Sequence, residues 1–120
     1  MTNAERFLDG YLYAWRTNDP DTIRSIFAAD ATYRSGARDL EPTVGVDAIV
    51  AQWEEDRDEP GTWSYSGAVD LQTEKAAVIR GVTTYTEGPK SGTYANVWLV
   101  RFDEQGLAAE FQDWWFQIEG

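Results

Sequence analysis

The residues able to move protons in this chain are few in kind, because its 120 residues include no cysteine and no histidine. Their absence excludes disulfides, thiol nucleophiles, histidine-based triads and the usual zinc ligand sets. Proton transfer must therefore use carboxylates, tyrosine, lysine or water. We expect no metal ion and no cofactor.

Asp113 is the main candidate for a proton-transferring group. It shares strand parity with Phe111 and Trp115, so the three side chains should lie on one face of a strand. If that face lines an apolar interior, burial should raise the pKa of the carboxyl towards neutrality, as acid–base chemistry requires. The alternative is a structural aspartate paired with an arginine or a helix N–H, or one at a wet cavity mouth.

Two neutral polar residues could assist that carboxyl. Tyr11 could donate to a ligand oxygen, or it could be a core tyrosine whose hydroxyl is satisfied locally. Asn96 lies among aromatic residues, where an unpaired amide is costly. It should therefore orient Asp113 or a ligand, or belong to a structural network. The candidate catalytic residues are Asp113, Tyr11 and Asn96.

Aromatic residues are abundant, with six Trp, six Tyr and five Phe. Large rings bury much area and can line ligand pockets. Ordinary core is the alternative for each of them, and Trp15 fits the core better than a pocket wall. The candidate ligand-binding residues are Tyr33, Trp53, Tyr85, Tyr94, Trp98, Phe111 and Trp115.

The charge balance is strongly acidic, with a net charge of -11 from 21 acidic and 10 basic residues. Such a surface disfavours nucleic acids and anionic membranes as partners. The acidic run at 54–59 lacks the glycine turn and alternating ligands of a calcium loop, so we expect a solvated helix end there. No apolar run has membrane-spanning length and the N-terminus is polar, so a cytoplasmic location is expected.

Helix signals occupy the first half of the chain and strand signals the second. Residues 2–5 form a capping box, and aromatic residues at helical spacing follow it. The predicted elements of the first half are a helix to about Thr17, a short helix from Pro20, a strand at 30–34, a loop at 35–45, and a helix from about Val46 that Pro60-Gly61 stops.

Four strands are predicted in the second half, at 62–72, 76–87, 92–103 and 107–118, joined by short turns. Helices followed by an antiparallel meander indicate an α+β fold. We expect one domain over 1–120, with three N-terminal helices packed on a strongly curved antiparallel sheet.

The last two strands are apolar on both faces. One face carries the candidate site residues, and the other carries Val97, Leu99, Trp114 and Phe116. The helices can cover only one face. A homodimer through the outer face of the sheet is therefore expected.

A series of short motifs carries a resemblance to a known superfamily. The motifs are Tyr11…Trp15, Asn18-Asp19-Pro20-Asp21, Phe27-Ala28-Ala29-Asp30-Ala31-Thr32-Tyr33, Gly45…Ile49…Trp53, Arg101-Phe102-Asp103-Glu104-Gln105-Gly106 and Gln112-Asp113-Trp114-Trp115. In this order they resemble the nuclear transport factor 2-like superfamily, in its SnoaL-like and ketosteroid-isomerase-like branches. The resemblance implies a cone-shaped, cystatin-like α+β roll around a pocket.

The resemblance also assigns roles, position by position. Tyr11 matches the tyrosine that donates to the oxyanion in ketosteroid isomerases, and Asp113 lies where SnoaL-like cyclases and epoxide hydrolases keep an acid–base aspartate. The isomerase's proton-shuttling aspartate falls near Ser35, and its second oxyanion donor falls at Trp98. The arginine and aspartate of the epoxide hydrolases fall near Asn96 and Trp98. Neither complete catalytic set is therefore present.

These observations favour a small-molecule-pocket protein of the SnoaL-like type. One hypothesis is a cofactor-independent isomerase, cyclase, hydratase or dehydratase that acts on a hydrophobic substrate through Asp113. The alternatives are a protein that binds a hydrophobic ligand without turnover and a dimerising module whose pocket is vestigial.

Overall fold

A computed structural model describes residues 1–36 and 41–120. Residues 37–40 of the predicted loop lie outside the described residues. The elements are, in chain order, α1 (Asn3–Thr17), α2 (Pro20–Ile26), β1 (Phe27–Ser35), β2 (Thr43–Val44), α3 (Val46–Asp56), β3 (Trp63–Gln72), β4 (Ala76–Tyr85), β5 (Gly92–Phe102) and β6 (Ala108–Glu119).

The helix ends follow the predicted capping chemistry. The Thr2 hydroxyl accepts from the Glu5 backbone N–H at 3.2 Å, and the Glu5 carboxylate accepts from the Thr2 N–H at 2.9 Å, which confirms the capping box. Asn18 ends α1 in the left-handed conformation at φ 57°. Asp19 then caps α2 by accepting from the Asp21 N–H at 2.9 Å, with Pro20 at the first helical position.

The first strand is longer than predicted. It begins at Phe27 rather than Asp30, directly after α2, and Phe27 is 1% exposed. The boundary is decided by the burial of this ring in the core, which a local apolar pattern does not reveal. The short strand β2 lies in the segment predicted as a loop.

The sheet is mixed, which corrects the prediction of an antiparallel sheet. Its strand order is β2-β1-β6-β5-β4-β3, and β1 is parallel to β6 while every other pair is antiparallel. The antiparallel meander from β3 to β6 is as predicted. The parallel pair joins the first strand to the last. Because no short turn connects these two strands, the sequence between them carries no local signal of their pairing. The sheet is not closed, and β2 and β3 are its edges.

The three helices pack against the inner face of the sheet, as the α+β prediction requires. The core beneath them is aromatic and aliphatic, and its largest fully buried side chains are Trp98, Phe27, Phe111, Ile49, Ile79 and Val100. The outer face carries exposed rings at Trp114 and Phe116. Among the described residues, no helix is both long enough and apolar enough to span a membrane.

Candidate functional site

A cavity of about 380 Å³ opens between the helices and the inner face of the sheet. This volume lies within the usual range of small-molecule sites. Its lining is drawn from α1, the end of α3, and strands β1, β4, β5 and β6. The side chains that contribute are Tyr11, Trp15, Asn18, Tyr33, Ser35, Gln52, Trp53, Asp56, Arg57, Asp58, Thr83, Tyr85, Lys90, Tyr94, Asn96, Trp98, Asp113 and Trp115.

Strand register places Asp113 between two neighbouring strands. On β5 its direct partner is Trp98, and on β1 its direct partner is Ser35. The half-buried carboxyl lines the cavity on the face shared with Trp115. Asp113 therefore lies on the inner face, as its strand parity with Trp115 predicted.

Burial raises the pKa of Asp113 to about 6, well above its ordinary value of 3.8. Hydrogen bonding from the Asn96 amide opposes this rise. The indole N–H of Trp98 also lowers the pKa. The geometry of this contact lies outside the limits of an ordinary hydrogen bond, because Trp98 Nε1 has no such partner among the described residues.

A chain of hydrogen bonds reaches Asp113 from inside the sheet. The Thr83 hydroxyl donates to Asn96 Oδ1 at 2.6 Å, and Asn96 Nδ2 donates to Asp113 Oδ1 at 3.4 Å. Thr83 and Asn96 are 2% and 7% exposed. Of the two roles predicted for Asn96, the structure shows the amide beside Asp113 and within a buried network as well.

Two phenols meet on the helix side of the cavity. The hydroxyls of Tyr11 and Tyr33 lie 3.3 Å apart, and either can be the donor. Burial raises the pKa of Tyr11 well above its ordinary value, and Asp113 raises it further. Burial likewise raises the pKa of Tyr33. Both phenols are therefore neutral hydrogen-bond donors at any physiological pH.

Eight of the eighteen lining side chains are aromatic, and they include six of the seven predicted ligand-binding residues. Trp53 meets Tyr11 edge-on with ring centroids 4.9 Å apart, and Tyr94 meets Trp115 edge-on at 5.7 Å. Tyr85 lies edge-on to Tyr94 at 5.9 Å. Such edge-to-face contacts fix ring orientations as well as burying area.

The structure places two aromatic residues differently from the sequence prediction. Phe111 is 0% exposed and supports the rings of Tyr11 and Tyr33 at centroid distances of 5.3 and 4.9 Å, so it lies beneath the wall and does not line the cavity. Trp15, predicted as core, does line the cavity, where it stacks on Trp63 at 3.7 Å. The spacing of a ring along a helix or strand predicts which face it lies on. It does not predict whether the ring lines the cavity or is buried beneath the cavity wall.

The acidic run contains a pocket residue that the sequence reading missed. Asp58 lies at the cavity mouth with its side chain 15% exposed. Its carboxylate accepts from Trp15 Nε1 at 3.0 Å, from the Tyr85 hydroxyl at 3.2 Å and from Lys90 Nζ at 3.0 Å. These donors come from α1, from β4 and from the turn after β4. Asp58 therefore ties three segments together, whereas residues 54–57 and Glu59 are exposed, as predicted for a solvated helix end.

A pair of glycines makes room for the ring that packs against Trp98. Gly67 and Gly81 are direct partners on β3 and β4, and a Cβ on either would lie 2.3–2.4 Å from atoms of the Tyr65 ring. The absence of a side chain lets that ring lie close to the strand backbones. Tyr65 stacks on Trp98 with centroids 5.0 Å apart and an angle of 9°. Trp98 is thus held from behind.

The site joins a half-buried carboxyl, a phenol pair and aromatic walls inside a helix-covered curved sheet. A model of the SnoaL-like domain matches residues 4–111. The chain belongs to the SnoaL-like domain family. The superfamily resemblance inferred from the sequence motifs is thereby confirmed.

Solved structures of the same fold share little sequence with this SnoaL-like chain. The RV0760c protein of Mycobacterium tuberculosis has a TM-score of 0.77 at 12% identity, over 97% of this chain and 92% of that one. A delta 5-3-ketosteroid isomerase from Mycobacterium sp. has a TM-score of 0.74 at 14% identity, over 97% and 95%. An M. tuberculosis LEH-like epoxide hydrolase has a TM-score of 0.69 at 15% identity, over 95% and 83%. No curated protein matches the sequence.

Proposed function

We propose that this SnoaL-like chain is a cofactor-independent acid–base enzyme that acts on a small hydrophobic molecule and uses Asp113 to move a proton. The observation that carries the proposal is a half-buried carboxyl, with a pKa of about 6, that lines an aromatic cavity. A general base works best when its pKa lies near the working pH. At pH 7 roughly a tenth of such a group is protonated, so both forms needed for turnover are present.

The chemistry that fits is proton transfer at a carbon next to a carbonyl group. The Asp113 carboxylate takes the proton, and the electrons of the C–H bond move to the carbonyl oxygen as an enolate. Of the neutral phenols Tyr11 and Tyr33, one donates to the other, and the accepting phenol can donate its own proton to that oxygen. Return of the same proton to another carbon completes an isomerisation, and its transfer to a departing hydroxyl completes a dehydration.

The walls support a hydrophobic substrate. Indole and phenol side chains supply eight of the eighteen lining residues, and the charged residues other than Asp113 (Asp56, Arg57, Asp58 and Lys90) come from the end of α3, the residues after it and the turn after β4. Solved structures with this fold include a delta 5-3-ketosteroid isomerase and an LEH-like epoxide hydrolase. Both names denote enzymes of small molecules, which is consistent with the proposal. Ser35 and Trp98 occupy the positions where those enzymes would keep other catalytic groups, so this chain would depend on Asp113 alone.

A substrate panel tests the proposal. Purified protein is mixed with steroid ketones, polyketide-like ketones and terpenoids, and both melting temperature and turnover are measured. The wild type should be stabilised by at least one class and convert it, while Asp113→Asn should bind that compound without converting it. Asp9→Asn, which changes an exposed carboxylate on α1, is the matched control and should behave as wild type.

Two outcomes would overturn the enzyme proposal. Stabilisation by a ligand with no conversion in the wild type would indicate the binding protein instead. Conversion that survives Asp113→Asn would remove that carboxyl from the chemistry. If no compound class raises the melting temperature, the dimerising module with a vestigial pocket becomes the better description.

We also propose that two copies pair through the outer face of the sheet. Trp114 and Phe116 are 43% and 57% exposed there, beside Val97 and Leu99 on the neighbouring strand. The helices leave this face uncovered. A contiguous patch of exposed rings and aliphatic side chains is typical of protein interfaces. A second copy of the chain, related by two-fold symmetry, would cover this patch with its own identical patch.

A further inference from the structure

Thr83 has no role in the proposed proton transfer, yet its hydroxyl is buried next to the site. It lies on the inner face of β4 and is 2% exposed. Its hydroxyl donates to Asn96 Oδ1 at 2.6 Å, which is a short bond for a neutral pair. The other end of the same amide faces Asp113 at 3.4 Å. Thr83 and Asp113 are therefore connected only through Asn96 in these contacts.

We propose that Thr83 is a positioning residue for Asp113, because it holds the Asn96 amide with its NH₂ group towards the carboxyl. This inference rests on the proposed acid–base role of Asp113. Thr83 itself would not carry the transferred proton, and its effect on Asp113 would pass through Asn96.

The direction of the amide matters because its two ends are chemically opposite. The NH₂ end donates and the oxygen end accepts, whereas an ionised carboxylate can only accept. A reversed amide would place Asn96 Oδ1 against the Asp113 carboxylate, two acceptors in a poorly solvated space. The ionised carboxylate itself selects the observed direction, and the Thr83 hydroxyl, which can donate or accept, completes it by donating to Oδ1. That bond anchors the amide and polarises it, which strengthens donation from Nδ2.

This arrangement limits how far burial can disfavour the ionised carboxyl. Donation from Asn96 stabilises the charged form of Asp113, while burial opposes it. If Thr83 loses its hydroxyl, the amide loses the anchor and the polarisation that this bond supplies, so its donation weakens. The ionised form of Asp113 then loses support, and its proton is held more tightly.

The groups around Asp113 do not compete with this effect near neutral pH. The phenols that face it from α1, β1, β3 and β4 all have raised pKa values: Tyr11, Tyr33, Tyr65 and Tyr85. They remain neutral over the range in which Asp113 titrates. The charged side chains lining the cavity are Asp56, Arg57, Asp58 and Lys90. None of them changes in the variants below.

Carbon NMR titration of the Asp113 carboxyl measures the effect without any substrate. Thr83→Val keeps the shape of the side chain and removes the hydroxyl, and the midpoint should rise by about half a unit or more. Thr83→Ser keeps the hydroxyl and should restore the wild-type midpoint. Thr84→Val is the matched control, because Thr84 is the next residue on β4, on the opposite face, where its hydroxyl lies 3.4 Å from that of Thr93.

A double-variant cycle tests whether the effect passes through the amide. In an Asn96→Leu background, Thr83→Val should leave the midpoint of Asp113 unchanged. The proposal is overturned if Thr83→Val does not move the midpoint in the wild-type background, or if it moves it equally with and without Asn96. If Thr83→Val does not fold, the pair Thr83→Ser and Thr83→Ala makes the same comparison, with a higher midpoint expected for alanine.

The two proposals can fail separately. Turnover that survives Asp113→Asn, together with a midpoint that moves in Thr83→Val, removes the acid–base role and keeps the positioning role. Turnover lost in Asp113→Asn, with an unmoved midpoint in Thr83→Val, does the reverse.

Discussion

Ser35 and Asp113 are direct partners on the parallel strands β1 and β6, and the backbone N–H of Gly36 donates to the Asp113 carbonyl oxygen at 2.7 Å. This pairing brings the end of the first strand to the candidate acid–base residue. The motif resemblance places the proton-shuttling aspartate of ketosteroid isomerases near Ser35. In this chain the carboxyl lies on the neighbouring strand, at the same end of the cavity.

A second carboxyl at that position should disturb the first. In Ser35→Asp a second like charge would lie beside Asp113 on the neighbouring strand, at an exposed position, and its repulsion should make the second of the two protons harder to release. The upper titration step of the pair should lie about one unit above the wild-type midpoint of Asp113. Carbon NMR of the carboxyl groups measures it. Ser66→Asp, on an exposed position of β3, is the control and should leave Asp113 unchanged.

The ionised Asp113 carboxyl should cost the folded state stability. Its pKa is about 6 in the folded chain against an ordinary 3.8, so the folded state binds the proton more tightly than the unfolded state does. The free energy of unfolding therefore falls as the pH rises from about 4 to 6, and the full cost is present above pH 6.

Asp113→Asn should remove that cost. The free energy of unfolding should rise by about 1–3 kcal/mol at pH 7.5 and change little at pH 4. Urea denaturation at the two pH values measures the difference, with Asp9→Asn as the exposed control. An equal gain at both pH values would show that the effect does not come from the ionisation of Asp113.

Asp58 should hold the cavity mouth in place. Asp58→Ala leaves the donors Trp15, Tyr85 and Lys90 without their shared acceptor, and we expect a loss of about 1–3 kcal/mol in the free energy of unfolding. Thermal or urea denaturation measures the loss. Glu59→Ala, an exposed change at the next residue, should cost much less. Equal losses in the two variants would show that the hydrogen bonds of Asp58 add no stability, as expected for a solvated side chain.

The proposed dimer should depend on the outer face of the sheet. Trp114→Lys and Phe116→Lys each place a charge in the patch, so the protein should become monomeric in sedimentation equilibrium. Tyr13→Lys changes a ring of α1 that is 53% exposed and should leave the assembly unchanged. A monomeric wild type at high concentration would contradict the pairing directly.

Much of the fold could be predicted from the sequence because the signals are local. The capping box at residues 2–5, Asp19 and Pro20 at the start of α2, and the turns of the meander each depend on neighbouring residues alone. Alternation along β6 placed Asp113 on the inner face for the same reason. Alternation could not separate Phe111, beneath the wall, from Trp115, within it.

The remainder depends on contacts between residues distant in sequence. No residue near β1 indicates that it pairs in parallel with β6. The contact between Ser35 and Asp113 could therefore not be predicted from strand patterns. Asp58 reads as one acid in an acidic run until α1, β4 and the following turn supply its donors. In the sequence, Thr83 does not differ from any other threonine in a strand. Its role depends on Asn96, which the fold places next to its hydroxyl.

The sequence by itself determined the type of every element except β2, the inward face of β6 and the restriction of acid–base chemistry to groups other than cysteine and histidine. Only the tertiary structure decided which strands meet, how deep each ring lies and what surrounds the carboxyl. The physical reason is that periodicity and capping act over a few residues, whereas burial and hydrogen-bond partners set a pKa, and both are supplied by segments far apart in the chain.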